Sequence, residues 1–409
     1  MRHVSATGRP FLPYGRHQID EDDIAAVADA LRSGWLTTGP AVTAFEQAFA
    51  EKVGARFAVA CSSGTAGLHL AALALGLDET STVVVPTLTF LATANAARYV
   101  GAEVAFADVD PETGLLTEAA LEAALDAVSG RTAKAVFPVH LNGQCVDMGS
   151  IARVAKERGL AVVEDACHAV GAHDTADGAV VPVGDCRHSD MAVFSLHPVK
   201  TIAMGEGGVV TTNDEALCER LQRLRNHGMT WDFDRFENSD LAYDARGNPN
   251  PWYYEMASPG LNYRASDIHC ALGSNQLGRL DRFVSKRAEL VALYDRRIAA
   301  LAPVVQPIGR TADCAPAWHL YVVLIDFDQA GVDRAAVMNR LRDQGIGTQV
   351  HYLPVHHQPY YRRRYGVLNL PGADSYYARC LSLPLFPAMS NADVERVIEA
   401  LSMALGLDV

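Results

Sequence analysis

Lys200 follows a short apolar run and precedes a glycine-rich turn, in Ser195-Leu196-His197-Pro198-Val199-Lys200-Thr201 and then Met204-Gly205-Glu206-Gly207-Gly208. A single amine so placed has the chemistry to attack a carbonyl carbon, hold it as a Schiff base and later release it, which is what a pyridoxal phosphate enzyme asks of its lysine. Most lysines are simply solvated, so the assignment needs a second group. That group is Asp165, at the end of the apolar run 161–164, in Glu164-Asp165-Ala166-Cys167-His168. A carboxylate beside a pyridine nitrogen favours the protonated ring, which then serves as an electron sink. Alternation along a strand sends Glu164 and Asp165 to opposite faces, and Asp165 is the one expected at the ring. Capping of the next segment is the plainer role open to it.

A phosphate needs a cradle. Cys61-Ser62-Ser63-Gly64-Thr65-Ala66 joins a strand to a helix beginning near Thr65. Amides at a helix start point outward, and the helix dipole favours an anion there. Gly64 permits close approach and Thr65 adds a hydroxyl; an ordinary Ser or Thr cap explains the same residues. Ser195 is a second candidate hydroxyl. Phe90, in Pro86-Thr87-Leu88-Thr89-Phe90, has the shape to stack on a pyridine face, and a core phenylalanine is its alternative. Cys167 fits the opposite face, and His168 either touches the ring oxygen or is a satisfied core histidine.

Short apolar runs alternate with helical patterns. Strands are expected at 57–61, 82–86, 104–107, 135–139, 161–164, 191–195 and 209–212, with helices at 24–33, 65–75, 89–100, 117–127 and 148–158. Such alternation predicts an α/β fold with a mainly parallel sheet covered on both faces. Ligands in these sheets sit at the carboxyl ends of the strands, where the residues above fall. The pattern breaks at 229–251, read as a long surface loop and a candidate flap. A helical stretch with a break follows at 266–299. Segments 320–326, 334–344 and the strand-like 348–353 then suggest a smaller α/β domain. The division is an arm at 1–18, a large domain at 19–283 and a small domain at 284–409.

The chain has 409 residues, 49% of them hydrophobic and 20% charged, enough for a core that needs no disulfide or metal. The net charge of −13 and the absence of any basic run longer than Arg362-Arg363-Arg364 argue against nucleic acid. An anionic substrate stays open, because local arginines and amides decide that. No apolar run reaches membrane-spanning length, and no signal peptide is expected. None of the eight cysteines forms a Cys-x-x-Cys pair, which predicts reduced thiols in a cytoplasmic protein. Zinc held by His351, His356 and His357 is disfavoured because no thiolate or carboxylate stands near them at ligand spacing; no metal is expected.

Taken together, Leu36-Thr37-Thr38-Gly39-Pro40, Ser63-Gly64-Thr65-Ala66, Thr89-Phe90-x-Ala92-Thr93, Glu164-Asp165-Ala166, the Lys200 segment and Gly260-Leu261-Asn262-Tyr263-Arg264 resemble the DegT/DnrJ/EryC1/StrS family of nucleotide-sugar aminotransferases, over about Pro13 to Leu401. The resemblance implies the pyridoxal phosphate fold type I, aspartate aminotransferase-like, with a seven-stranded sheet. It implies Lys200 as Schiff-base lysine and proton carrier, Asp165 at the ring nitrogen, Phe90 on the ring and His168 near its oxygen. Ser63, Gly64, Thr65, Ala66 and Ser195 would surround the phosphate, and Asn262 would reach the phosphate of a neighbouring subunit, making a homodimer with shared sites. Thr38, Arg225, His351, Tyr352 and His356 are implied at the sugar nucleotide; for Arg225 an exposed helix end is the plainer reading. Within the family, His197-Pro198-Val199-Lys200-Thr201, Pro251-Trp252-Tyr253-Tyr254-Glu255-Met256 and Gln349-Val350-His351-Tyr352-x-Pro354-Val355-His356 resemble the pseudaminic-acid branch. That implies transfer of the glutamate amino group to C4 of a UDP-linked 4-keto-6-deoxy-N-acetylhexosamine of L-altro type. Other nucleotide 3- or 4-keto sugars, a sugar 3-dehydratase and an inert pyridoxal phosphate-binding regulator are the rivals. Lys200 argues against the dehydratase, which carries histidine there.

Overall fold

The computed structural model describes residues 10–128, 130–175 and 178–407; the first nine residues of the expected arm lie outside the described residues. Seven strands, β1 (Phe57–Cys61), β2 (Ser81–Pro86), β3 (Glu103–Ala107), β4 (Thr132–Val136), β5 (Ala161–Asp165), β6 (Met191–Ser195) and β7 (Gly208–Thr212), form one sheet in the order β1-β7-β6-β5-β4-β2-β3. Only β7 runs antiparallel to its neighbours; the other pairings are parallel. Parallel pairs need crossovers; helices supply them except between β5 and β6, where the described residues carry only the short strands His173–Asp174 and Val181–Pro182. The helices of this region are α1 (Glu21–Arg32), α2 (Pro40–Val53), α3 (Gly64–Ala74), α4 (Leu91–Tyr99), α5 (Glu118–Asp126), α6 (Met148–Arg158) and α7 (Glu215–Leu224).

Strand alternation builds the two core layers. Val83 and Val85 join Leu68, Leu70 and Ala94 on one face, while Val84 faces Leu121, Ile151 and Val154 on the other. Helix α1 begins earlier than the apolar period suggests, because Asp20 and Asp23 form a reciprocal capping box.

After the short α8 (Ser239–Ala242), α9 (Asp267–Leu277) and α10 (Leu280–Ile298) realise the expected broken helix, interrupted at Gly278-Arg279. Three further strands, β8 (Val305–Pro307), β9 (Tyr321–Ile325) and β10 (Cys380–Leu383), form an antiparallel sheet in that order. The helices α11 (Phe327–Ala330), α12 (Arg334–Asp343), α13 (Pro359–Tyr365), α14 (Pro371–Arg379) and α15 (Asn391–Leu405) accompany it. One apolar cluster runs from Val84 and Val136 through Leu290 and Val323 to Leu401, so the two α/β portions share core. The expected boundary at 283/284 lies inside α10.

Three local expectations change. The strand expected at 135–139 is shifted to Thr132–Val136: Phe137 donates its amide to Val84, and Pro138, without an N–H, starts the exit from the ladder. The segment 348–353 is no strand. Only Gln349 pairs with a neighbour, Ser382, and the next side chains turn into a cavity. The loop 229–251 carries structure: Met229–Thr230 pairs with Glu255–Met256, and the Glu255 carboxylate accepts the amides of Glu237 and Asn238 at 2.7 Å each.

Candidate active site

The carboxyl ends of β5 and β6, the start of α3 and the segment ahead of α4 converge on a cavity of about 540 Å³. Lys200 enters it from the turn after β6, where its amide is tied to the His197 carbonyl. Among the described residues its ammonium makes no hydrogen bond or ion pair. Burial pulls it below the ordinary lysine range, with the acidic groups of Cys167 and Asp165 opposing. A half-buried, unpaired amine of lowered basicity is suited to accept and return a proton near neutral pH.

Asp165 is the last residue of β5 and is buried. Its carboxylate accepts from the Thr93 hydroxyl at 2.7 Å and from the Cys167 amide at 3.2 Å. With the Thr93 proton committed there, Thr89 donates to Thr93, 2.7 Å away. The hydroxyl chain fixes the carboxylate from behind. Glu164 does face the opposite side, as alternation requires: it is buried against His140 at 2.8 Å and takes the Ser189 hydroxyl. The capping alternative for Asp165 accounts for only one of its two oxygens.

Helix α3 starts at Gly64, with Ser63 as its cap. The Ser63 hydroxyl accepts the Ala66 amide at 3.1 Å, and the Ser63 carbonyl accepts Gly67. Ordinary capping therefore engages Ser63 and Ala66. The amides of Gly64 and Thr65, in the first turn, have no intrahelical acceptor and border the cavity together with Ser195. A Cβ at position 64 would stand 2.8 Å from that of Ser195 and 3.1 Å from the Cys167 sulfur, so glycine is required for the loop to close on β6. A pocket with outward amides, two hydroxyls, a fixed carboxylate and a free amine fits pyridoxal 5′-phosphate at phosphate, ring nitrogen and aldehyde.

Phe90 is 54% exposed, on extended backbone just before α4, at the cavity wall. It is a surface ring available for stacking, and the core alternative falls. His168 lies on the same wall. Its Nδ1 accepts the Asn142 amide at 3.3 Å, so the neutral ring carries its proton on Nε2, 3.0 Å from the Tyr352 hydroxyl. Burial keeps this histidine neutral, reinforced by the charge of Lys200. Tyr352 remains a phenol, held protonated by burial and by nearby Asp165. His351 donates to or accepts from Ser382 at 2.7 Å, and burial lowers it to about 3.

Other expected residues lie elsewhere. Thr38 and Arg225 line a second cavity, beside Met229, Trp231 and Arg235 of the long loop, which therefore does not cover the Lys200 cavity of its own chain. Arg225 is no exposed helix end: it pairs with Glu46 and reaches the Ala60 carbonyl, tying α7 to α2 and β1. His356 is buried, with Nδ1 2.7 Å from the Thr87 hydroxyl. Its Nε2 meets Asp374, which also holds His357 at 2.6 Å; ligand atoms of the three lie within 4.8 Å of one another. A carboxylate thus does stand beside two of the histidines, brought there by tertiary structure, while His351 belongs to the Lys200 cavity. Asn262 is exposed, paired through backbone with Asn226 and outside that cavity. Thr93, His319 and Gln349 went unrecognised in the sequence. Thr93 had a signal, three residues beyond Phe90 on the first turn of α4; His319 had none locally.

The family model described as DegT/DnrJ/EryC1/StrS aminotransferase matches residues 17–402. The spore coat polysaccharide biosynthesis protein SpsC of Bacillus subtilis is 41% identical over 394 residues, covering 95% of this chain and 96% of that protein. Helicobacter pylori PseC, an aminotransferase of pseudoaminic acid biosynthesis, superposes with a TM-score of 0.85 at 27% identity, covering 97% and 99% of the two chains. DesI, solved with its TDP-sugar product, gives 0.83 at 32% identity, covering 98% and 94%. With that extent of match and a pocket built for the cofactor, the chain belongs to the DegT/DnrJ/EryC1/StrS aminotransferase family and is a pyridoxal 5′-phosphate-dependent sugar aminotransferase.

Proposed function

We propose that the enzyme transfers the amino group of L-glutamate to C4 of a UDP-linked 4-keto-6-deoxy-N-acetylhexosamine of L-altro type, in the cytoplasm, for amino-sugar glycan synthesis. The observation that carries the chemistry is the pairing of a free Lys200 amine with a braced Asp165 carboxylate on one cavity. Bound pyridoxal 5′-phosphate supplies the electron sink that makes a carbon next to nitrogen acidic. Around it, the Gly64 and Thr65 amides and the Thr65 and Ser195 hydroxyls hold the phosphate. Asp165 would hold the ring nitrogen, and Phe90 and Cys167 would hold the ring faces. His168, as a neutral Nε2–H donor, faces the ring oxygen together with Tyr352. Lys200 takes a proton from the glutamate α-carbon and later returns one to C4 of the sugar.

His351 and Tyr352 line the same cavity and are our candidates for sugar contacts. Asn262, exposed and outside its own cavity, is assigned to the phosphate of a second subunit, so that a homodimer completes each site. Arg225, already paired with Glu46, and His356, buried against Thr87 outside the Lys200 cavity, are left out of the substrate site. The branch assignment is supported by PseC, described as acting in pseudoaminic acid biosynthesis. The second reading, another nucleotide 3- or 4-keto-6-deoxy sugar, is favoured by DesI and its TDP-sugar product.

The test is incubation with glutamate and a panel of nucleotide 4-keto sugars, followed by NMR of the amino sugar formed. Amination at C4 of the L-altro-type UDP-sugar is expected. A D-configured or TDP-linked substrate turning over while that one stays inert would move the assignment to the second reading. If glutamate leaves the visible absorbance of the lysine-bound cofactor unchanged, the protein is an inert binder instead.

A further inference from the structure

Cys145 and Cys314 stand 169 positions apart in sequence, yet their Sγ atoms are 2.9 Å apart. The contact is held by backbone and side chain on both sides. Gly143 and Ala317 are joined by an N–H···O=C bond of 3.1 Å, and Asn142 and His319 by one of 3.0 Å. A Cβ at Gly143 would meet the Ala317 carbonyl at 2.0 Å, so only glycine lets these two strands of chain touch. Gln144 clamps the preceding stretch, donating to the Gly309 carbonyl at 3.1 Å and accepting the Thr311 amide at 3.2 Å. Cys314 itself is paired in register with Asp174.

The two thiols are unequal. Cys145 is buried, 4% exposed, whereas Cys314 is only partly covered. The Cys145 amide donates to the Cys314 sulfur at 3.0 Å, and the Cys145 sulfur lies 3.4 Å from the His173 carbonyl. The contact with the Cys145 sulfur, and after it the bond from the Cys145 amide, pulls the Cys314 thiol below its ordinary value although burial opposes this. The same contact, together with burial, pushes Cys145 up. A partly covered thiol of lowered pKa in contact with a buried partner is the arrangement of an attacking and a resolving cysteine.

We propose that Cys314 and Cys145 form a thiol pair oxidised by hydroperoxides to an intramolecular disulfide. The Cys314 thiolate attacks one oxygen of the peroxide. The O–O bond breaks, the sulfur gives up two electrons and becomes a sulfenic acid, and the released alkoxide or hydroxide takes a proton from solvent. The Cys145 sulfur then attacks that of Cys314. The S–O bond breaks, and the hydroxide leaves as water with the Cys145 proton. Two thiols and one hydroperoxide thus give one disulfide, one alcohol (water, for hydrogen peroxide) and one water. The bridge pins the segment leading to His319 onto the loop whose Asn142 amide holds His168.

The test is mass spectrometry of the cofactor-loaded protein, treated with excess hydrogen peroxide, alkylated without reduction and digested. The expected result is a peptide joining Cys145 to Cys314, two fewer alkylated thiols, and reversal by dithiothreitol. In Cys145→Ser, Cys314 accumulates a sulfenic acid trapped by dimedone; in Cys314→Ser, Cys145 stays a thiol at the same dose. Full alkylation of both cysteines in the treated wild-type protein overturns the proposal. So does a crosslink that joins either one to a different cysteine. Neither measurement depends on which sugar the enzyme uses.

Discussion

Two cavities of equal size, about 540 Å³ each, differ in how their charges are arranged. In the one beside α7, two of the lining arginines are paired with carboxylates, while the Arg264 side chain bonds only the Asn226 side-chain oxygen among the described residues. Arg225 pairs with Glu46, and Arg235 pairs with Glu219 at 2.7 Å and with Asp232 at 3.0 Å. In the other, Lys200 has no ion pair among the described residues, and Asp165 is braced by neutral groups, the Thr93 hydroxyl and the Cys167 amide. A cation that has met its carboxylate has little interaction left for a ligand. A cation kept from one retains both its field and its proton chemistry. The second arrangement costs stability through desolvation, and a fold keeps such a cost only where something binds.

The contrast breaks most sharply at Lys200. Lys200→Ala should retain the cofactor noncovalently and lose at least about 10⁴-fold in turnover, the upper range for a positioned proton-transfer group. Single-turnover absorbance with glutamate checks it. Asp165→Asn keeps the shape and removes the charge; a fall of about 10²–10³-fold in kcat is expected, as for loss of one strong electrostatic contact. Retention of wild-type rates by either variant would erase the distinction between the cavities.

At Arg225 the opposite outcome is expected. Arg225→Ala strands Glu46 in a poorly solvated site, so stability should fall by about 3 kcal/mol. Activity per folded molecule should stay near wild type. Urea unfolding beside kcat/KM on the soluble fraction separates the two. If KM for the sugar nucleotide rises while stability holds, the second cavity is a substrate site after all.

The pH response differs by region as well. Lys200 has a lowered pKa, so the active free amine gains as pH rises, and the rising limb of the rate should lie below the ordinary lysine value of about 10.4. His351, ordinarily near 6.5, is lowered to about 3. Between those values the unfolded chain binds more protons than the folded one, so stability is full above about 6.5 and falls as pH drops towards 3. Acid denaturation of His351→Gln should show a shallower slope across that window.

The sequence was most readable where chemistry and local geometry coincide. Lys200, Asp165 and Thr65 each sit within a residue or a turn of a strand end, so alternating apolar runs suffice to bring them together. Phe90 was ambiguous by type, and the extended backbone before α4 resolved it. Arg225 and His356 show the reverse: the structure places them outside the Lys200 cavity of their own chain. Their chemistry suits a ligand, but Glu46 and Thr87 reach them from distant parts of the chain. The same distance hid His319 at the active cavity, Asp374 beside His357, and the pairing of Cys145 with Cys314. The segment 348–353 has strand composition, yet His351 and Tyr352 serve as cavity wall, which a paired strand with alternating faces would not allow.

The smallest effect tests how much of the site is shape alone. Phe90 makes no polar contact with its side chain, and its ring centre lies 6.0 Å from that of Tyr352 at 53°. Its contribution should be stacking, about 0.5–1.5 kcal/mol, which corresponds to roughly a twofold to tenfold loss of cofactor affinity. Phe90→Ala should show that loss in a cofactor titration, with thermal stability nearly unchanged because more than half of the residue already faces solvent. Phe90→Tyr should restore affinity, since the added hydroxyl keeps the ring face. A marked fall in stability with unchanged affinity would return Phe90 to the core and leave the cofactor held by charge and hydrogen bonds alone.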